Sequence, residues 1–145
     1  MKITSSEFEN GQNIAPKYTC DGENISPPLL ISDVPNEAQS LVLIMDDPDA
    51  PMGTWVHWTL FNINPKITEI AEASAPQDAV QGKTNGANRY GGPCPPSGIH
   101  RYFFKLYALD IKLDLTAEAN KAQIEQAMKE HIIAQTELVG RYGRK

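Results

Sequence analysis

The chain has only two cysteines, Cys20 and Cys94. That is too few for a disulfide scaffold. One bridge forms if their two loops meet; in a reducing cytoplasm the plainer reading is two thiols. Long apolar runs are also absent. The longest, "LVLIM" at 41–45, is far too short to cross a membrane as a helix. The opening "MKITSSEFENG" has no apolar stretch of the kind a secretory leader carries, so a cytoplasmic location is expected. Basic patches are missing as well. The net charge is −5, and the cations of the terminal "GRYGRK" read as a solvated tail, so nothing supports nucleic-acid binding. Internal repeats and low-complexity segments are not seen.

What is present suits one globular domain spanning 1–145, with 41% hydrophobic residues and moderate charge. Eleven prolines and ten glycines punctuate short stretches rich in Val, Ile, Leu, Thr and aromatics. That texture predicts a mostly β domain. "LVLIM" is apolar on both faces, as a central strand is. "VHWTLFNI" and "RYFFKLYAL" are two further strands. "ENISPPLLISDVP" reads as an edge segment, because prolines flank "LLIS". From Thr116 the composition turns helical, with Thr116 as N-cap, Ala117 as first residue and Glu118 in the first turn. Ile124, Ala127, Met128 and His131 fall on one face, which makes His131 structural. Beyond it, a period of two over 132–142 predicts a closing strand. The expected fold is an antiparallel two-sheet β sandwich with one late α-helix and a C-terminal strand.

Two stretches carry more chemistry than turns require. In "LVLIMDDPDAPMGTWVHWTLFNI" a core strand ends on Asp46, Asp47 and Asp49, and the returning strand brings Trp55, His57 and Trp58. If the strands are antiparallel neighbours, Asp47 and His57 share a mouth, where a carboxylate favours and orients a protonated imidazole. Plain turn residues beside Pro48 and Pro51 are the alternative. In "RYGGPCPPSGIHRYFFKLYALD", His100 and Tyr102 lie on one face of a strand. Their loop is stiffened by Pro93, Pro95 and Pro96, and the N–H groups of Gly91, Gly92, Cys94, Ser97 and Gly98 are free to converge on an anion. A protonated histidine and a tyrosine hydroxyl would complete a donor site of phosphate or carboxylate size.

Together, "DDPDAP…WVHW" and "YGGPCPPSGIHRY", with "YTCDGENISPP" upstream and "ELVGRYGR" at the end, resemble the phosphatidylethanolamine-binding proteins. The likeness is to their bacterial and archaeal, Raf-kinase-inhibitor-like branch, and runs from about Tyr18 to Arg141. It implies a β sandwich with a small, non-catalytic pocket for phosphate- or acetate-like anions and no cofactor or metal. Carried over, the pocket uses Asp47, His57, His100 and Tyr102, with Pro95 and Pro96 on the rim. Trp55 and Gly92 support its wall, and Asp49 and Arg101 are expected to form a supporting ion pair. Asp47 would repel a phosphate, so it either holds a histidine in charged form or meets a ligand amine, as phosphoethanolamine has. The resemblance also implies kinase or protease inhibition in some relatives, and a homodimer in related prokaryotic proteins. Where relatives have glycine before the histidine after the late helix, this chain has Glu130, which suggests a slightly longer helix.

Two enzymatic alternatives use the same residues. Asp47, His57 and His100 are three ligands for an open zinc site, but no H-x-H, H-E-x-x-H or paired-cysteine spacing accompanies them. Ser97 with His100 and an aspartate would make a serine hydrolase, yet Ser97 lacks a G-x-S-x-G elbow.

Overall fold

A computed structural model describes residues 1–144. Its strands are β1 (Lys2–Thr4), β2 (Leu29–Ser32), β3 (Ser40–Asp47), β4 (Trp55–Ile63), β5 (Glu69–Ile70), β6 (Val80–Gln81), β7 (Ile99–Leu109) and β8 (Ile132–Gly143). Helix α1 (Lys121–Met128) precedes β8. All strand pairings between these elements are antiparallel and make two sheets, ordered β1-β2-β5 and β6-β4-β3-β7-β8. Among the described residues no helix is long and apolar enough to cross a membrane.

The middle position of β3 explains its composition. Leu41, Leu43 and Met45 face the smaller sheet, in a core shared with Ile3, Leu29 and Ile31. Val42 and Ile44 face the other way, onto Phe61, Leu109, Ile124 and Met128. A strand covered on both faces must be apolar at every position. The alternation continues into the carboxylates. Asp46 follows Val42 and Ile44 to the helix side, where its Oδ2 meets Lys105 at 3.1 Å and Lys121 at 3.4 Å. Asp47 follows Leu43 and Met45 to the opposite face.

Three local expectations are corrected. The "LLIS" segment is the central strand of the smaller sheet, not an edge. Pro27, Pro28 and Pro35 lie outside Leu29–Ser32, so the strand keeps its N–H groups for both neighbours. The helix begins at Lys121, because Asn120 and Gln123 form a reciprocal capping box. Thr116 instead closes a turn, accepting the Ala119 N–H on its carbonyl at 3.0 Å. The helix is also not prolonged by Glu130. Met128 to His131 is a turn closed by the His131 N–H on the Met128 carbonyl at 2.9 Å. Glu130 has φ 72° there, and Lys129 has φ −54° and ψ 132°. These are type II turn values, with Glu130 at the position that favours glycine. His131 lies beyond the helix and pairs with Asp110 at 2.8 Å.

Candidate functional site

At its end β3 and its two neighbours, β4 and β7, converge on a cavity of about 510 Å³. Asp47, Trp55, His57, Gly92, Pro95, Pro96, His100 and Tyr102 all line it. On β7 the alternation turns His100 and Tyr102 inward and leaves Arg101 outside. The His100 Nδ1–H donates to Asp47 Oδ2 at 2.7 Å, and Asp47 Oδ1 accepts the Asp49 N–H at 2.8 Å. Both members of the pair are buried. Asp47 is therefore the partner of His100, not of His57, and each of its oxygens accepts one hydrogen bond.

His57 reaches the cavity through an irregularity in the β3–β4 ladder. Met45 pairs with Trp58 and Asp46 with Val56, so His57 is the extra residue of a β-bulge. Such an insertion breaks the alternation and re-aims a side chain. Gly91 then fixes the ring from both sides. Its N–H donates to the His57 carbonyl at 3.0 Å, and its own carbonyl lies 2.6 Å from His57 Nδ1. A carbonyl only accepts, so Nδ1 carries the proton and Nε2 is bare in the neutral ring. Burial pushes the His57 pKa down, against the opposing pull of the Gly91 carbonyl and the Asp47 charge.

Tyr102 stands between the two imidazoles. Its ring meets His57 edge-on with centroids 5.3 Å apart and stacks on His100 at 6.5 Å. The hydroxyl is sealed from bulk water and has no hydrogen-bond partner among the described residues. Burial, followed by the charges of Asp47 and Asp49, pushes its pKa up, so it stays an O–H donor.

The rim is built by the loop before β7. Cys94 is bonded to Cys20, and the Cys20 N–H donates to the Pro93 carbonyl at 3.1 Å. This corrects the plainer expectation of two thiols: the two loops do meet. Disulfides persist in oxidising compartments or in hyperthermophiles, which weighs against the expected reducing cytoplasm. Two of the five N–H groups expected to converge on an anion are engaged elsewhere: the Gly91 N–H on the His57 carbonyl and the Gly92 N–H on Asn24 Oδ1 at 2.8 Å. A side chain at Gly92 would collide with the Tyr18 carbonyl and with Asn24, so the position needs glycine for space. Outside the cavity, Asp49 grips Arg101 through the Nε and NH2 groups, each at 2.9 Å, and also takes its backbone N–H at 2.9 Å. That pair, expected from sequence, holds the Asp49 pKa down at about 2, chiefly through the guanidinium hydrogen bonds.

Sequence reasoning missed several members. Met52, 97% exposed, stands on the cavity wall with the expected Trp55, 45% exposed. Arg89 and Tyr90 also line it. Tyr90 donates to the Tyr18 carbonyl at 2.8 Å, tying the loop to the upstream motif. The signal was available in "RYGG", immediately before the glycine that holds His57. For the hydrolase alternatives, Ser97 is exposed and has no hydrogen bond to His100 among the described residues. No group of three or more His, Cys, Asp or Glu among those residues is placed to hold a metal ion.

Comparison with known proteins bears on the same residues. The family model described as phosphatidylethanolamine-binding protein matches residues 4–143. The chain is 49% identical to a UPF0098 protein of Methanothermobacter thermautotrophicus over 99% of both chains. It superposes on a Chlamydia trachomatis structure described as a PEBP homolog with a TM-score of 0.95 at 46% identity, covering 99% and 97% of the two chains. An Escherichia coli structure described as a new member of the mammalian PEBP family gives 0.92 at 32% identity, covering 99% and 98%.

Proposed function

This chain belongs to the phosphatidylethanolamine-binding protein family, and from that premise we propose that its cavity binds a small oxyanion without turning it over. The ligand is a phosphate, a phosphoethanolamine-like monoester or a carboxylate. His100, His57 and Tyr102 contact it, Asp47 holds His100, and Pro95 and Pro96 form the rim. Trp55 and Gly92 shape the wall, while the Asp49–Arg101 pair secures the loop outside. The observation that carries the reading is the wall itself. A buried histidine backed by a carboxylate stands beside a buried hydroxyl that has no partner of its own. Buried donors without partners cost stability, and an anion seated there would relieve that cost. Asp47 already holds His100, so this reading gives it that role and assigns recognition to the phosphate end of the ligand.

The test is an NMR titration of the His57 and His100 rings with inorganic phosphate and O-phosphoethanolamine. Saturable shifts at both rings, lost in His57→Ala, are expected; no shift at millimolar ligand refutes the site. A second reading, regulation of a kinase or protease, draws on the exposed Met52 and Trp55 at the mouth. A partner covering the pocket would bury both. Inhibition assays against panels of kinases and serine proteases decide it, and no effect at high protein concentration ends that reading.

A further inference from the structure

We propose that His57 makes the cavity selective for oxyanions that bring a proton of their own. Inorganic phosphate qualifies, and phosphomonoesters follow because they are readily protonated; sulfate and phosphodiesters are rejected. The inference rests on the anion-site reading above and specifies which anions that site takes.

The argument begins with the ring that Gly91 holds. With Nδ1–H donating to the Gly91 carbonyl, the neutral His57 ring offers its remaining nitrogen, Nε2, only as an acceptor. Turning the ring over would leave the carbonyl unpaired, and Gly91 is itself anchored by its N–H on the His57 carbonyl. The ring is 7% exposed, so water does not readily supply a compensating shell when it charges. The charged and titratable groups around it pull both ways. Asp46 and Asp47 on β3 favour its charged form, and His100 on β7 opposes it. Tyr102, Tyr90 and Arg89 complete the polar wall.

Beside this acceptor stands a donor, the Tyr102 hydroxyl, and beyond it the His100 ring that Asp47 holds. The cavity therefore asks for a ligand with oxyanion acceptors on one side and an O–H donor on the other. Hydrogenphosphate has both. Its P–O⁻ oxygens accept from the Tyr102 hydroxyl while its P–OH donates to Nε2, and His57 takes no proton from solvent. Sulfate has the same size and shape but only acceptors, so its lone pairs face those of Nε2. It binds only if His57 takes a proton from solvent. A monoester, with a second pKa of about 6, can carry a P–OH by taking up one proton on its own oxygen. A phosphodiester such as a lipid head group has no P–OH, and is disfavoured as sulfate is.

The experiment is isothermal titration calorimetry of the full chain with inorganic phosphate, sulfate, O-phosphoethanolamine and glycerophosphoethanolamine. Buffers of different ionisation enthalpy count protons. At pH 7.5 phosphate should bind at least about tenfold more tightly than sulfate or the diester, the consequence of facing one buried acceptor with another. Sulfate binding should take up about one more proton than phosphate binding. The gap should narrow on acidification, as His57 becomes able to charge. His100 affects both anions alike and cancels in the ratio. His57→Gln, whose amide can donate, should lose the discrimination, bringing the sulfate and phosphate affinities together. Equal affinities and equal proton counts for phosphate and sulfate at pH 7.5 would overturn the selectivity and leave the anion site standing. If no anion binds at millimolar concentration, the site reading fails and the selectivity fails with it.

Discussion

Replacing Tyr102 by phenylalanine should move stability and binding in opposite directions. The hydroxyl is buried without a partner, whereas the ring packs between His57 and His100. Removing the oxygen keeps the packing and removes the desolvation penalty of an unpaired polar group, about 1–3 kcal/mol. Taking the low end, the free protein gains about 1 kcal/mol, or roughly 2–4 °C in Tm for a chain of this size. The same change deletes a hydrogen bond to a charged acceptor once an anion is bound, about 1.5–3 kcal/mol. That is roughly a ten- to hundredfold rise in Kd for phosphate. The hydroxyl stays protonated because burial and the charges of Asp47 and Asp49 raise its pKa, so the effect should not depend on pH through this group. Thermal and urea unfolding of both proteins without ligand, with calorimetry against phosphate, give the two readings. A Tyr102→Phe protein that is destabilised by more than 1 kcal/mol and binds phosphate with unchanged affinity would refute the reasoning. The hydroxyl would then have a partner in the free protein and none in the ligand.

Other changes probe the scaffold. The Cys20–Cys94 bridge spans a sequence separation of 74 residues, so opening it in a Cys20→Ser/Cys94→Ser variant should cost about 4 kcal/mol by loop entropy; a loss under about 1 kcal/mol in urea unfolding would contradict that. Glu130→Gly should stabilise by about 0.5–1 kcal/mol, because the turn needs a positive φ at that exposed position. A fall in Tm would show that the glutamate side chain makes a compensating contact. The Asp49 pKa, held at about 2 by Arg101, fixes the sign of an acid effect. Its contribution is full above the ordinary carboxylate pKa of about 4 and is lost as pH falls through about 2. Arg101→Met should therefore lower Tm at pH 5 and converge on the parent near pH 2, with a modest gap because the guanidinium is half exposed. A gap that does not change between these pH values would refute the pairing as its source.

How much of this was legible depended on whether the information was local. The covered strand 41–45 announced itself by being apolar at every position, and the closing strand by its period of two. The start of the helix was misplaced because Thr116 and Asn120 are both good caps. Only Asn120 has a glutamine three residues on to complete the box. The bulge at His57 was not legible, since an extra residue in one strand is defined against its partner. Nor was the division of the glycine amides, because what Gly91 and Gly92 bond to comes from residues 34 and 68 positions away.

The same distinction explains the carboxylates at the end of β3. They look like one acidic cluster in sequence, and the pleat distributes them among three environments. Asp46 goes to the helix face and meets two lysines; Asp47 goes to the cavity and meets His100; Asp49 stays outside and meets Arg101. Each carboxylate is thereby paired with a residue of β7, and Asp46 also with Lys121 of α1. An isolated acidic cluster at a cavity mouth would repel the oxyanion proposed as the ligand. Once each carboxylate is paired, the one inside the cavity holds His100, with one oxygen on its Nδ1, and the other two secure elements away from the ligand. The acidic motif at the strand end is thus compatible with an anion pocket because each carboxylate has a partner within the fold before a ligand arrives.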